Sequence, residues 1–244
     1  MANNVISLPV EDRGAVLRRS ARETMSWRHQ SATGAVLRSC VLPELSAASR
    51  VTPRSVRLRV ELLDPESDSA CRRYGAWAGL NSVADARRTL MVEVYATVLA
   101  VCLERKRSRR LHPEIRFSTF PTTHHVDIGD DLLVLSPAGG GEPVCTATPR
   151  DPLYQSYVRE FEAGWGQAHA AKLRLQAVEW SPLHDGDLIP RRNILNLFRE
   201  LHLPTIDLAD GDVDAIVERL TSHDTESDDP PGGVVSAGLP GGGW

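Results

Sequence analysis

The chain has 244 residues, of which 41% are hydrophobic and 25% are charged, and its formal net charge at pH 7 is -4. These values are typical of a globular protein whose core is large enough to need no disulfides. The negative charge argues against a protein that coats nucleic acid through its overall charge, although it leaves room for a local basic patch. Met1–Pro9 lacks the features of a signal peptide, and no segment has the roughly 20 apolar residues of a membrane-spanning helix. We therefore expect a cytoplasmic protein without membrane attachment.

The four cysteines are widely spaced and include no Cys-x-x-Cys pair. This pattern favours buried thiols in a reducing compartment over disulfides or a zinc site. We therefore expect no metal and no cofactor. The cysteines are Cys40, Cys71, Cys102 and Cys145.

Helical and strand periodicities alternate along the first part of the chain. In order, they predict a helix from about residue 12, a short strand over 23–27, a helix over 33–48, a strand over 55–62, a short helix over 71–80 and a long helix ending near 104. Ser31 is the candidate N-cap of the second helix, and Asn81 or Ser82 of the long one. Pro43 predicts a kink or a break in the second helix.

The clearest feature is a predicted β-hairpin over His124–Pro137. Gly129, Asp130 and Asp131 suit a tight turn, and the apolar run Leu132–Ser136 is typical of a buried central strand. A strand over 114–120 precedes the hairpin. A strand over 143–148 and an amphipathic helix over 154–171 follow it.

The composition changes after residue 175. Two short helices are predicted over 191–202 and 211–222, after an irregular link over 178–184. From His223 onward Asp, Ser, Pro and Gly dominate, which predicts disorder. We expect a flexible arm over 1–11, an α/β domain over 12–175, a helical appendage over 176–222 and a disordered tail over 223–244. The predicted fold class is α/β, with α+β as the alternative: a mixed sheet between helices, with a C-terminal helical hairpin.

Several short segments resemble one family. They are Ala21–Trp27, Val56–Pro65, the hairpin and Tyr154–Trp165. They resemble the first helix-to-strand step, the second strand, the histidine hairpin and the closing helix of the phospholipase D-like fold. The similarity extends from Arg13 to about His169 and is greatest to degenerate copies of the fold, found as sensor or effector regions of actinobacterial transcription regulators. The resemblance implies the fold and a pairing of two halves, here as a homodimer.

Active members of that family carry His-x-Lys-x4-Asp on such a hairpin, where the histidine attacks phosphorus and the lysine holds the phosphoryl oxygens. His124 and Asp131 have this spacing, but Val126 occupies the lysine position and cannot donate a hydrogen bond. The resemblance therefore implies the fold without the chemistry. An alternative is a phosphodiesterase or nuclease with a remodelled site, in which Arg116 replaces the lysine.

Polar residues of the predicted strands suggest a binding pocket. Strand alternation places His125 and Asp127 on one face and His124 on the other, which divides possible metal ligands and favours hydrogen bonding within the sheet. Arginines on the predicted strands could line an anion pocket, although an exposed sheet face is the alternative. The pocket candidates are Arg57, Arg59, Arg116, His124, His125 and Asp127.

Five cations occupy six positions at the predicted end of the long helix. They are Arg105, Lys106, Arg107, Arg109 and Arg110. Cations suit the negative end of a helix dipole, so a solvated last turn is one interpretation. Contact with phosphate or nucleic acid is the other.

The last two predicted helices are unlike a DNA-reading pair, because the second one is acidic. They favour a docking or dimerisation hairpin, whose apolar stripe comprises Leu195, Phe198, Leu201, Val213, Ile216 and Val217. We expect a non-catalytic regulatory or ligand-sensing module of bacterial transcriptional regulation. Its expected partners are a second copy, a small anionic ligand, and DNA or a DNA-binding protein. A protein-binding adaptor that acts through the C-terminal helices is a further alternative.

Overall fold

The computed structural model of the chain describes residues 6–51, 53–119, 123–138, 144–166, 190–206 and 208–220, and the backbone of 172–173 and 221. The predicted link over 178–184 and the predicted tail over 223–244 lie outside the described residues. Within them, one mixed sheet lies between two layers of helices, which confirms the predicted α/β class.

Eight strands of the described chain form the sheet, in the spatial order β1-β7-β6-β5-β2-β3-β4-β8. Strands β2, β3 and β4 are parallel, and the other neighbours are antiparallel. The strands are β1 (Ile6–Leu8), β2 (Ser26–Gln30), β3 (Val56–Leu63), β4 (Leu111–Ser118), β5 (His124–Ile128), β6 (Leu133–Pro137), β7 (Val144–Ala147) and β8 (Lys172–Leu173).

The described helices are α1 (Arg13–Glu23), α2 (Leu42–Val51), α3 (Asp68–Trp77), α4 (Val83–Arg107), α5 (Pro152–Gly166), α6 (Arg191–Glu200) and α7 (Asp210–Thr221). Ser82 caps α4 as predicted, since its Oγ accepts a hydrogen bond from the Asp85 amide at 3.0 Å. Pro43 does not break its helix. A π-helical turn over Leu37–Val41 directly precedes α2. Pro43 has no N–H to donate to the preceding turn, and the π-helical turn lies where that hydrogen bond is missing.

Strand alternation divides the sheet into two faces. On the α4 face, Val56, Leu58 and Val60 of β3 belong to the main core with α1, α2 and α4, as their spacing predicted. On the opposite α5 face, apolar residues of β5, β6 and β7 pack against Tyr154, Phe161 and Trp165 of α5. The hairpin strands β5 and β6 are confirmed as predicted, and β6 lies between β5 and β7.

Two predictions near the N-terminus need correction. Residues 6–8 of the predicted flexible arm form β1, which pairs with β7, and Val10–Asp12 forms a 3-10 turn. The strand predicted over 23–27 lies instead over Ser26–Gln30. Helix α1 continues through Glu23, because the Thr24 amide still donates to the Ser20 carbonyl.

The long helix α4 is enclosed by the rest of the fold. From Leu90 to Cys102 every residue except Glu93 is buried, as expected of a helix with neighbours on all sides. Helices α6 and α7 cover the part that faces away from the sheet, and the Phe198 ring lies 5.0 Å from the Tyr95 ring. The predicted apolar stripe of these two helices thus packs within this chain. None of the described helices is both long enough and apolar enough to cross a membrane.

Candidate functional site

The hairpin directs its polar side chains to opposite faces of the sheet. His125 lies opposite Ser136, and Asp127 lies opposite Val134, on the α4 face. His124, one position along, lies on the other side and is exposed. This confirms the predicted division of these residues. Within the described residues, no group of three or more His, Cys, Asp or Glu side chains could hold a metal ion.

Asp127 and His29 are cross-strand partners on β5 and β2. The Nδ1 atom of His29 lies 2.7 Å from Oδ1 of Asp127, and the Trp27 indole N–H donates to the same oxygen at 3.1 Å. An Arg13 guanidinium nitrogen lies 4.0 Å from Oδ2. His29 is 0% exposed and Asp127 is 1% exposed, so this is a charged cluster inside the main core.

The cluster favours an ionised carboxylate. Burial by itself would raise the pKa of Asp127, but the His29 and Arg13 charges and the hydrogen bonds from His29 and Trp27 outweigh it, and the net pKa is lowered. A carboxylate only accepts hydrogen bonds, so the His29 Nδ1 atom carries the proton that it donates to Asp127.

Ser31 extends the chain of hydrogen bonds. Its Oγ lies 2.8 Å from Nε2 of His29 and accepts the Gly34 N–H at 2.8 Å. A Ser-His-Asp chain with these distances has the geometry of a hydrolase triad. Here, however, Ser31 is 4% exposed, and the Gly34 amide that it binds precedes the following helix, since the φ angle of Gly34 is +79°. Ser31 is therefore not the N-cap that the sequence predicted. We therefore interpret the chain as a buried structural network.

His29 is not among the site residues predicted from the sequence. The available signal was the alternation of Trp27 and His29, two residues that face the core when the strand is placed over Ser26–Gln30. The predicted strand over 23–27 begins three residues too early and excludes His29, so this alternation is not visible within it. Only the pairing of β2 with β5 brings His29 to Asp127, which lies 98 residues away in sequence.

The structure does not bring the remodelled catalytic residues together. His124 begins β5, whereas Asp131 lies beyond its other end and accepts a hydrogen bond from Ser20. A five-residue strand separates them by about 15 Å. Arg116 lies on β4, where its Nε donates to Glu61 at 2.9 Å, and it is 5% exposed. The structure therefore contradicts the alternative catalytic site of His124, Asp131 and Arg116.

The six predicted pocket residues do not form one pocket either. His125 and Asp127 are buried on the α4 face, and the three arginines lie on the α5 face. There, Arg59 and Arg116 lie 5.4 and 5.0 Å from the Trp165 ring centre, so α5 covers them. Arg59 also donates to Glu162 at 2.7 Å.

Arg57 remains accessible and lines an open depression. Ser26, Arg57 and His112 are successive partners across β2, β3 and β4, so they form one row near the amino ends of the parallel strands. The depression has a volume of about 460 Å³, and Met25, Ser55 and Glu114 complete its lining. Neighbouring strands lie about 4.8 Å apart, so the row spans about 10 Å, the size of a small ligand.

The basic run lies at the same end of the sheet. It covers the last turn of α4 and the turn into β4. The Ser49 hydroxyl donates to the Ser108 Oγ at 2.6 Å, and the Val56 amide donates to the Arg110 carbonyl at 2.9 Å. These bonds hold the end of α2 and the start of β3 against the run. We call the cations at this end the basic surface: Arg50, Arg54, Arg105, Lys106, Arg107, Arg109 and Arg110.

Comparisons with known proteins do not assign the chain to a family. No family model matches it, and no curated protein has a similar sequence. Function is therefore inferred from the chemistry of the described side chains.

Proposed function

We propose that the chain is a non-catalytic regulatory module that senses a small anionic ligand, in the setting of bacterial transcriptional regulation. The observation that carries this proposal is the row of Ser26, Arg57 and His112 in an open depression. The resemblance to degenerate phospholipase D-like domains supports the regulatory setting. It also supports a cytoplasmic location and a homodimer. Light scattering of the purified chain tests the homodimer.

The lining of the depression suits an anion that also carries an N–H group. Arg57 is exposed, and no described residue forms an ion pair with it. Its guanidinium can bind phosphate or carboxylate oxygens in pairs, and the His112 ring and the Ser26 hydroxyl add donors. Glu114 accepts hydrogen bonds and would repel a purely anionic ligand. A nucleoside monophosphate has the required combination, since its base offers N–H groups to a carboxylate.

The alternatives receive less support. The three residues of a remodelled phosphodiesterase site lie apart, and Arg116 is already bound by Glu61. The predicted contact stripe of an adaptor packs against α4 in this chain. Arg116 is thus not available for phosphoryl contact, and the stripe is not available for a protein partner.

Thermal shift with AMP, with inorganic phosphate as the simpler probe, tests the proposal. AMP at about 100 times its Kd would stabilise the chain by about 2.7 kcal/mol, which corresponds to a rise in Tm of roughly 5–10 °C. Arg57→Ala should abolish the rise. Arg72→Ala, which removes an exposed arginine of α3, should preserve it. Absence of a rise with AMP, or an equal rise with AMP in the Arg57→Ala variant, would contradict the assignment of this depression. Because of Glu114, inorganic phosphate should give a smaller rise than AMP.

A further inference from the structure

We infer that the basic surface binds the phosphate backbone of duplex DNA, with little preference for base sequence. This goes beyond the ligand site, because its cations lie outside the depression. The inference depends on three properties of the surface: its exposed arginines, its fixed geometry and its composition.

Three of the seven cations are exposed and form no salt bridge within the described residues. Arg50, Arg54, Arg107, Arg109 and Arg110 are exposed, and Arg105 and Lys106 are half-buried. Within the described residues, no salt bridge engages Arg50, Arg54 or Arg109, whereas Arg107 pairs with Glu104. Unengaged guanidinium groups bind phosphate without first losing an internal partner.

Three separate segments present these cations at one end of the fold. Arg50 lies in the last turn of α2, Arg54 precedes β3, and the run 105–110 joins α4 to β4. The hydrogen bonds from Ser49 to Ser108 and from Val56 to Arg110 hold the segments together. The negative end of the α4 dipole stabilises the cations in its last turn without neutralising the surface. A surface fixed in this way loses little entropy when it binds a rigid duplex.

The sequence around the surface is nearly free of acidic residues. No Asp or Glu occurs between Leu45 and Val60, and Glu104 is the only one between Val94 and Pro113. The remaining chain is acidic, since the net charge of the whole is -4. The positive charge is therefore concentrated at one end, where it attracts a polyanion despite the overall charge.

Composition also indicates duplex rather than single-stranded nucleic acid. Sites for single strands stack bases on aromatic side chains. Segments 49–57 and 103–112 contain no Phe, Tyr or Trp. Arginines that contact phosphates position a duplex without reading its bases, which predicts binding that tolerates changes of sequence.

Fluorescence anisotropy with a labelled DNA duplex, repeated across salt concentrations, tests the inference. The first variant combines Arg50→Ala, Arg54→Ala and Arg109→Ala and keeps Arg57 in place. We expect it to weaken binding at least about tenfold and to reduce the slope of log affinity against log salt by about 3. A duplex of unrelated sequence should bind with similar affinity.

A matched control removes the same charge from the opposite end of α4. It combines Arg72→Ala, Arg73→Ala and Arg192→Ala, three exposed arginines. Asp68 of α3 pairs with Arg87 of α4, and Asp212 of α7 pairs with Arg88 of α4, so the starts of α3 and α7 lie near the first turns of α4. Arg191 at the start of α6 pairs with Asp210 of α7, so α6 begins at this end as well. The 25 residues of α4 separate the two ends by over 30 Å.

The control variant should bind duplex DNA as the wild-type chain does. Equal loss in both variants would indicate a bulk charge effect and overturn the inference, as would an absence of binding at low salt or tighter binding of single-stranded DNA. Because Arg57 is unchanged, AMP binding to the first variant shows whether the ligand proposal stands independently of DNA binding.

Discussion

His29 and Asp127 form a hydrogen-bonded pair, 2.7 Å between Nδ1 and Oδ1, in the centre of the sheet and out of contact with solvent. The pair joins β2, the first parallel strand, to β5, the first strand of the hairpin. A buried carboxylate and its hydrogen-bond donor require each other, since either one alone leaves an uncompensated polar group in the core. The parallel and antiparallel parts of the sheet are thus linked by a pair sensitive to substitution and to acid.

Asp127→Asn should destabilise the chain by about 3–5 kcal/mol at pH 7, because it removes a buried negative charge that accepts hydrogen bonds from His29 and Trp27 and lies 4.0 Å from the Arg13 guanidinium. The lowered pKa of Asp127 in the folded state sets the pH dependence. Its contribution to stability is present above the unfolded pKa of about 3.9 and is lost as pH falls through the lower folded value. Urea unfolding followed by tryptophan fluorescence measures this contribution. The difference between wild type and variant should shrink as pH falls below about 4, and a constant difference would contradict an ionised Asp127 carboxylate.

Gly34→Ala should destabilise the chain through both backbone and packing. The φ angle of Gly34 is +79°, and an added Cβ would lie 2.7 Å from the Thr97 Cγ2 atom. A side chain in this backbone region costs about 1–3 kcal/mol before any clash. Thr97→Ser removes Cγ2 but keeps the hydroxyl that donates to the Thr33 carbonyl at 2.7 Å. In a double-mutant cycle by chemical denaturation, Thr97→Ser should recover part of the loss, and strict additivity would exclude the clash.

Phe198→Ala should cost about 3–5 kcal/mol, because the ring is fully buried against Tyr95 of α4. For the same reason, a chain truncated after Pro190 should unfold or aggregate, since it exposes the apolar side of α4 that α6 and α7 cover. Thermal melting compares the Tm of the Phe198→Ala variant and of the truncated chain with that of wild type. A truncated chain that melts at the wild-type temperature would show that the C-terminal helices are dispensable for the core and would revive the adaptor alternative.

Arg116→Ala should cost about 3–5 kcal/mol, because Glu61 would remain buried without its partner. Replacing both, as Arg116→Met with Glu61→Leu, should be much closer to neutral, since no charge is then left unpaired. Chemical denaturation of the single and double variants measures both free energies of unfolding. If the double variant were as unstable as the single one, contacts of Arg116 with Trp165 or Gly164 would dominate over its pair with Glu61.

Local patterns in the sequence determined much of the fold. The alternation of Val56, Leu58 and Val60 placed β3 and its buried face, and the glycine and aspartates at 129–131 placed the hairpin turn. Ser82 marked the start of α4, and the apolar stripe of α6 and α7 indicated a docked pair. These features depend on side-chain periodicity and on turn or cap chemistry, which act over a few residues.

Only the tertiary structure decided which polar residues meet. Strand pairing placed His29 opposite Asp127 and set Arg57 beside His112, although neither pair is near in sequence. Helix α5 covered Arg59 and Arg116, so two arginines that alternate like Arg57 are not available to a ligand. Arg50 and Arg54 joined the predicted basic run because α2 and β3 end and begin beside it. Such contacts depend on sheet order and register, which long-range packing sets and which no short segment of the chain specifies.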